Sequence, residues 1–165
     1  MASSRYPLEQ VKQIKEKRLQ EAEKILKEKK EALAKEQDKL KAVEKERDEV
    51  LKHREDKLQQ FRETLDQGTT TDKIEQMKRY LKVVEENLKV KEVKVHEQKK
   101  QVKAAEAAVE AARQDYVKKH RDVEKLDIHR KEWDKEVKMT LEHKETVEGD
   151  ELGAMLHARR KKKKH

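Results

Sequence analysis

The sequence predicts an all-α protein: a long two-helix antiparallel coiled-coil hairpin with an overhanging C-terminal helical extension. Charged side chains make up 48% of the 165 residues and hydrophobic ones only 33%. Ordinary globular domains carry about 45–50% apolar residues, so the composition argues against a compact multilayer core. Apolar residues recur at heptad spacing, and the chain has a single proline. Both features favour long helices over disorder.

The first helix is predicted from about Leu8 to Asp66. Leucines recur at every seventh position in two series, offset by a four-residue stutter that locally unwinds a supercoil. The companion positions of the first series include Lys29 and Glu36, so this helix has a half-polar contact face that we expect to open locally. The leucines are Leu19, Leu26, Leu33 and Leu40, followed by Leu51, Leu58 and Leu65.

The second helix is predicted from about Asp72 to Val147, and its heptad pattern is more regular. Alternating steps of three and four residues from Ile74 meet mostly apolar side chains, as in a coiled coil. The charged or amide-bearing exceptions could fix the register of the two helices or simply extend their polar ends to solvent. The positions of this heptad seam are Ile74, Met77, Leu81, Val84, Leu88, Lys91, Val95, Gln98, Val102, Ala105, Val109, Ala112, Tyr116, Lys119, Val123, Leu126, Arg130, Trp133, Val137 and Thr140.

Residues 67–71 are predicted to form the turn between the helices. Gly68 suits the left-handed conformation that often follows a helix C-terminus. Asp72 is interpreted as the N-cap of the second helix, with Glu75 completing a capping box. So short a connection favours adjacent antiparallel helices, in which opposed residue numbers sum to about 139 and Tyr6 lies beside Trp133. An intermolecular coiled coil is the rival architecture.

The hairpin is assigned to residues 1–148, and residues 149–165 to a short helical segment with a basic tail. Gly149 and Gly153 are interpreted as a helix break between the two. The tail Arg159–Lys164 supplies six of the eight net positive charges. The rest of the chain is therefore nearly balanced in charge, as expected of solvated helix faces.

The residue inventory argues against an enzyme. Three glycines cannot build a phosphate-binding loop or a dinucleotide fingerprint, and the histidines lack the spacing of metal-binding helices. We therefore predict no catalytic, cofactor-binding or metal-ligating residue. The lysine tail alone does not predict specific nucleic-acid binding, because no aromatic residues are interleaved with it. No apolar run is long enough to cross a membrane and no secretory signal is evident, so a cytoplasmic protein is expected.

Apolar and aromatic side chains at the open end of the hairpin are candidates for partner contact. For Trp133, which lies on the heptad seam, packing between the helices is the competing interpretation. The candidate partner-binding residues are Tyr6, Leu8, Trp133, Leu152, Met155, Leu156, Arg159 and Arg160.

Four short segments resemble chlamydial members of the YscO/FliJ family, which are coiled-coil proteins of type III secretion and flagellar export. The segments are "RYPLE" (5–9), "GTTTDKI" (68–74), "HRKEW" (129–133) and "DELGAMLHARRKKKK" (150–164). The resemblance implies a non-enzymatic stalk without cofactors, peripherally associated with the secretion apparatus at the inner membrane. It also implies contact with the export ATPase, the export gate protein and chaperones of translocator proteins.

By the same resemblance, the end of the hairpin that holds the termini faces the ATPase ring, and the isolated chain is expected to be a monomer. Two other functions remain open on the sequence. One is a structural spacer coiled coil that acts by self-assembly. The other is a basic-tailed binder of nucleic acid or membrane surfaces.

Overall fold

The computed structural model describes residues 5–164, which form two α-helices and no strand. Helix α1 is Glu9–Gln67 and helix α2 is Thr71–Lys163. The helices pack together as a hairpin, so the predicted fold class is confirmed. By its contacts the chain divides into two units: Glu23–Gln114, and the residues up to Ala22 with those from Asp115 onward.

In the unit Glu23–Gln114, every seam position of α2 from Ile74 to Ala112 is buried or half-buried. Helix α1 packs against this seam through its spaced leucines, most of which are half-buried, whereas Lys29 is exposed. Lys, Glu, Leu and Ala all favour helix, but most of the stability of such long helices comes from burying one face. The buried residues in this unit are Val84, Leu88, Val95, Val102 and Val109.

Three polar seam residues make hydrogen bonds or ion pairs with α1. The side-chain amide of Gln98 donates to the Glu36 carboxylate at 2.6 Å and to the Glu36 carbonyl at 3.0 Å. Lys91 pairs with Glu46 at 3.2 Å in the same unit, and Arg130 pairs with Glu9 in the other. Lys119 instead pairs within α2, with Asp115. Gln98, Lys91 and Arg130 therefore favour the register-fixing interpretation.

The turn consists of residues 68–70, with Gly68 in the left-handed region at φ 86°. The Gly68 N–H donates to the Leu65 carbonyl at 3.2 Å and so satisfies one of the free carbonyls at the end of α1. A Cβ at Gly68 would meet no neighbouring atom, so the requirement for glycine comes from the backbone conformation.

The N-cap of α2 is Thr70, and the assignment of Asp72 as the cap is wrong. The Thr70 hydroxyl accepts from the Lys73 N–H at 3.4 Å, and the Thr70 carbonyl accepts from the Ile74 N–H at 3.2 Å. Lys73 stands where a capping box needs an acidic or amide side chain, so Glu75 does not complete one; it lies 4.0 Å from Arg79. Asp72 instead lies in the first turn, where its charge complements the helix dipole.

In the other unit, α2 packs against the start of the chain only as far as Val137. Seam positions from Tyr116 to Val137 are buried or half-buried, whereas Thr140 is exposed. Every residue from 138 to 164 is exposed. We call residues 138–163 the C-terminal extension.

The helix break predicted at Gly149 and Gly153 is wrong, because α2 continues through both to Lys163. Neither glycine has a positive φ. A glycine weakens a helix by about 1 kcal/mol relative to alanine, but it ends the helix only where the backbone reverses. The four basic residues of the last turn, Arg160–Lys163, also favour continuation through their attraction to the helix C-terminus.

Candidate partner-binding site

A turn before α1 places Tyr6 against α2. The Glu9 N–H donates to the Tyr6 carbonyl at 3.1 Å, with Pro7 at the second position of the turn, where its fixed φ is favourable. The next bond, from the Lys12 N–H to the Leu8 carbonyl at 2.8 Å, begins the helical pattern. This sharp entry buries Tyr6, whose exposed fraction is 5%.

Tyr6 is the centre of an aromatic cluster on α2. Its ring centroid lies 5.6 Å from that of Trp133, in an edge-to-face arrangement, and 5.6 Å from that of His129. The Tyr6 hydroxyl also forms a hydrogen bond with Nδ1 of His129. The Arg130 guanidinium lies 5.8 Å from the Tyr6 ring, within the range of a cation–π contact. The predicted proximity of Tyr6 and Trp133 is thus observed.

Ion pairs continue this contact along the first turns of α1. Arg130 Nη1 lies 2.6 Å from a Glu9 oxygen, and Lys12 Nζ lies 2.9 Å from Asp127. The hydrogen bond to Asp127 raises the pKa of Lys12 above its ordinary value, and the charges of Asp127 and Glu16 act in the same direction. We call Tyr6, Glu9, Lys12 and their partners on α2 the N-terminal clasp. It holds the beginning of the chain on α2.

An open groove of about 770 Å³ lies beside the clasp. Its lining combines charged and amide side chains with Tyr6, Pro7 and Trp133. Trp133 and Leu8 are both half-buried, so each retains some accessible area. The lining residues are Arg5, Tyr6, Pro7, Glu9, Gln10, Gln13, Arg130, Trp133 and Asp134.

The C-terminal extension presents the other predicted residues in a different way. Leu152, Met155 and Leu156 have exposed fractions of 59%, 61% and 51%. Together with Arg159 they occupy positions i, i+3, i+4 and i+7, which share one helix face. Arg159 and Arg160 are exposed as well. These residues have the spacing by which helices bind grooves in other proteins.

The predicted partner-binding residues therefore fall into two groups rather than one surface. Tyr6 and Trp133 belong to the N-terminal clasp and Leu8 lies next to it in sequence; all three are buried or half-buried within the chain. Leu152 lies nineteen positions beyond Trp133, about 28 Å along the helix. Residues 152–160 are the part of the predicted set with fully available side chains.

Sequence reasoning missed the polar members of the clasp, although a signal for them existed. The sum of about 139 for opposed residues predicts residues 5–9 beside the region of Trp133, but it was not used to match opposite charges. Glu9 with Arg130, and Lys12 with Asp127, obey the same sum and have opposite charges. His129 has no such signal, because it lies off the heptad seam and reaches Tyr6 from the side.

In the part of the chain that the structure describes, no group of three or more His, Asp or Glu side chains is arranged to hold a metal ion. None of the described helices is long and apolar enough to span a bilayer.

A family model and a solved structure both relate this chain to YscO-like proteins. The family model described as YscO-like protein matches residues 3–163. The solved structure of a YscO homolog, CT670 from Chlamydia trachomatis, superposes with a TM-score of 0.91 at 44% sequence identity. The match covers 97% of this chain and 99% of the other. No match was found among curated proteins.

Proposed function

The chain belongs to the YscO-like family of type III secretion-associated proteins, and on this premise we propose that it is a non-enzymatic stalk and escort of the export apparatus. In this role it contacts the export ATPase with the end that carries the C-terminal extension. It also contacts the export gate protein and receives chaperones of translocator proteins. It acts in the cytoplasm, peripherally associated with the apparatus at the inner membrane.

The observation that carries this proposal is the uncovered C-terminal extension. A helix of this length normally buries one face, yet residues 138–164 are all exposed. Three large apolar side chains on one turn and a half are then followed by six basic residues. In so polar a protein, exposed apolar residues at helical spacing support a docking segment for another protein.

The N-terminal clasp supports the same assignment indirectly. By fixing the start of α1 on α2 near Trp133, it marks where the hairpin packing ends and the free helix begins. The clasp thereby gives the extension a rigid base, which lowers the entropy lost on docking. Charged surfaces elsewhere on the helices can be recognised electrostatically by chaperones and the gate.

The experiment is a binding measurement with the purified export ATPase, gate protein and translocator chaperones from the same organism. The full chain is compared with a variant in which Leu152→Ser and Leu156→Ser are combined. We expect the chain to bind the ATPase, and the variant to lose at least tenfold in affinity, since two exposed anchors become polar. Its helical content and unfolding midpoint should not change.

A matched control is Met139→Ser, which removes an apolar side chain of 69% exposure from the extension but off the face of Leu152. Its affinity for the ATPase should equal that of the unmodified chain. The docking assignment fails if the double variant binds the ATPase undiminished. The stalk assignment fails if the unmodified chain binds none of the three partners.

A further inference from the structure

One face of the C-terminal extension carries a second heptad series, displaced by one residue from the seam that packs against α1. Steps of three, four, three, four and three residues connect its six members, as in a coiled-coil contact face. We call this series the C-terminal stripe. Its members, all exposed, are Glu145, Glu148, Leu152, Met155, Arg159 and Lys162.

The stripe is ordered by charge: two acidic residues, then two apolar ones, then two basic ones. Among the described residues, none of the four charged members forms an ion pair. The acidic and basic members cannot pair with one another within the helix, because Glu148 and Arg159 are eleven residues, or about 16 Å, apart. A partner that presents the opposite order of charges would complement all four.

We propose that the partner is a second copy of this chain, bound antiparallel through the C-terminal stripe. In an antiparallel pair about a two-fold axis, Glu145 faces Lys162, Glu148 faces Arg159 and Leu152 faces Met155. The three pairs share one residue-number sum, so a single register satisfies them all. Symmetry repeats each pair, as in any two-fold contact between identical chains.

The charge order favours this occupant over a nucleic acid or an anionic lipid surface. A nucleic acid or an anionic lipid surface would attract Arg159 and Lys162 but repel Glu145 and Glu148 along the same face. A second copy in reverse direction presents both signs in the order required. The packed part of the hairpin lies outside the contact, because Val137 is eight residues, or about 12 Å, before Glu145, the first member of the stripe.

The contact is expected to be weak and sensitive to salt. Each copy contributes only two apolar stripe residues, with Leu156 beside them. The area buried by the pair is therefore far smaller than the roughly 1,200–2,000 Å² that stable interfaces bury. The chain is then a monomer when dilute and pairs as concentration rises. Pairing would cover Leu152, Met155 and Arg159, so self-pairing and partner docking on this face would exclude each other.

Sedimentation velocity of the full chain alone tests the pairing, in buffer of about 0.05 M ionic strength, where exposed charges are weakly screened. We expect the sedimentation coefficient to rise with concentration up to about 1 mM. An acid-reversed variant combines Glu145→Lys with Glu148→Arg, and a base-reversed variant combines Arg159→Glu with Lys162→Glu. Each alone should associate at least tenfold more weakly, because opposite charges become like charges.

The decisive experiment mixes the acid-reversed and base-reversed variants in equal amounts and measures their association. One then carries only basic charges on its stripe and the other only acidic ones, so the mixture should associate more strongly than either alone. The control variant exchanges Asp150→Lys and Lys161→Glu, which reverses two charges off the stripe and should pair like the unmodified chain. A chain that stays monomeric at all concentrations, or a mixture that does not associate, overturns the proposal. ATPase binding is measured separately, so its failure is distinguishable.

Discussion

The side-chain amide of Gln98 donates to both the carboxylate and the backbone carbonyl of Glu36, at 2.6 Å and 3.0 Å. Both residues occupy heptad positions that a coiled coil usually fills with apolar side chains. A polar residue at such a position lowers stability in exchange for a defined register, because any shifted pairing leaves its polar group without a partner. Gln98 and Glu36 thus help to specify one alignment of two otherwise repetitive helices.

A double-mutant cycle of Gln98→Ala and Glu36→Ala tests this role. We expect a coupling free energy of about 1 kcal/mol between the two sites, as for a hydrogen bond to a charged group that is partly shielded from water. Urea unfolding monitored by circular dichroism measures it. Gln101→Ala, at an exposed position of the same helix, should change stability by less than about 0.5 kcal/mol. Strictly additive effects would show that the pair does not define the register.

Tyr6 is expected to hold the beginning of α1 in place. Tyr6→Ala removes the buried ring between His129 and Trp133, whereas Tyr6→Phe removes only the hydroxyl. The alanine variant should therefore shift the fluorescence of Trp133, the single tryptophan, to longer wavelength as solvent reaches its indole ring. It should also accelerate amide hydrogen exchange in residues 9–15.

The phenylalanine variant provides the control for the Tyr6 prediction. It should keep the emission wavelength of Trp133 and lose about 1 kcal/mol of local stability, the usual contribution of one hydrogen bond. Exchange rates in residues 80–100, which belong to the other unit, should not change in either variant. Unaltered emission and exchange in Tyr6→Ala would mean that the clasp depends on its ion pairs instead.

The cap assignment gives a third prediction, because Thr70 and Asp72 differ in their roles. Thr70→Ala removes the hydroxyl that accepts from Lys73 N–H and should cost about 1 kcal/mol of unfolding free energy. Asp72→Ala removes only a favourable charge in the first turn, a loss of about 0.3–1 kcal/mol at low ionic strength. Raising the salt concentration should reduce the effect of Asp72→Ala and leave that of Thr70→Ala. A salt-independent loss in Asp72→Ala together with a salt-dependent loss in Thr70→Ala would indicate that Asp72 is the N-cap.

The sequence predicted those features that depend on a repeated pattern. Every α2 seam position from Ile74 to Val137 is buried or half-buried, because a heptad repeat determines the contact face of a helix. Features that depend on one residue's surroundings were harder to predict. Either Thr70 or Asp72 satisfies the composition rules for an N-cap, and the choice depends on where the chain leaves the turn.

In the candidate site, too, some features could be predicted from the sequence and others depend on the surroundings of one residue. The sequence made Leu152, Met155 and Leu156, at the open end of the hairpin, candidates for partner contact, and all three are exposed. For Trp133 the sequence left two interpretations, since an aromatic on the seam suits both packing and partner contact. The antiparallel register predicted its proximity to Tyr6, but the burial of Tyr6 depends on the turn at Pro7, which has no periodic signal. Trp133 therefore contributes first to the clasp.

Gly68 ends a helix, whereas Gly153 lies within one, so substitutions at the two positions should have opposite effects on stability. Gly68→Val should lower the unfolding free energy by roughly 1 kcal/mol or more, because φ 86° is costly for a β-branched residue. Gly153→Ala should stabilise the extension by up to about 1 kcal/mol, because this glycine is helical and a Cβ there meets nothing within 4 Å. Hydrogen exchange in residues 150–157 and urea unfolding measure the two effects. An extension that exchanges faster after Gly153→Ala would contradict a continuous helix through this position, and unchanged unfolding of Gly68→Val would place the end of α1 elsewhere.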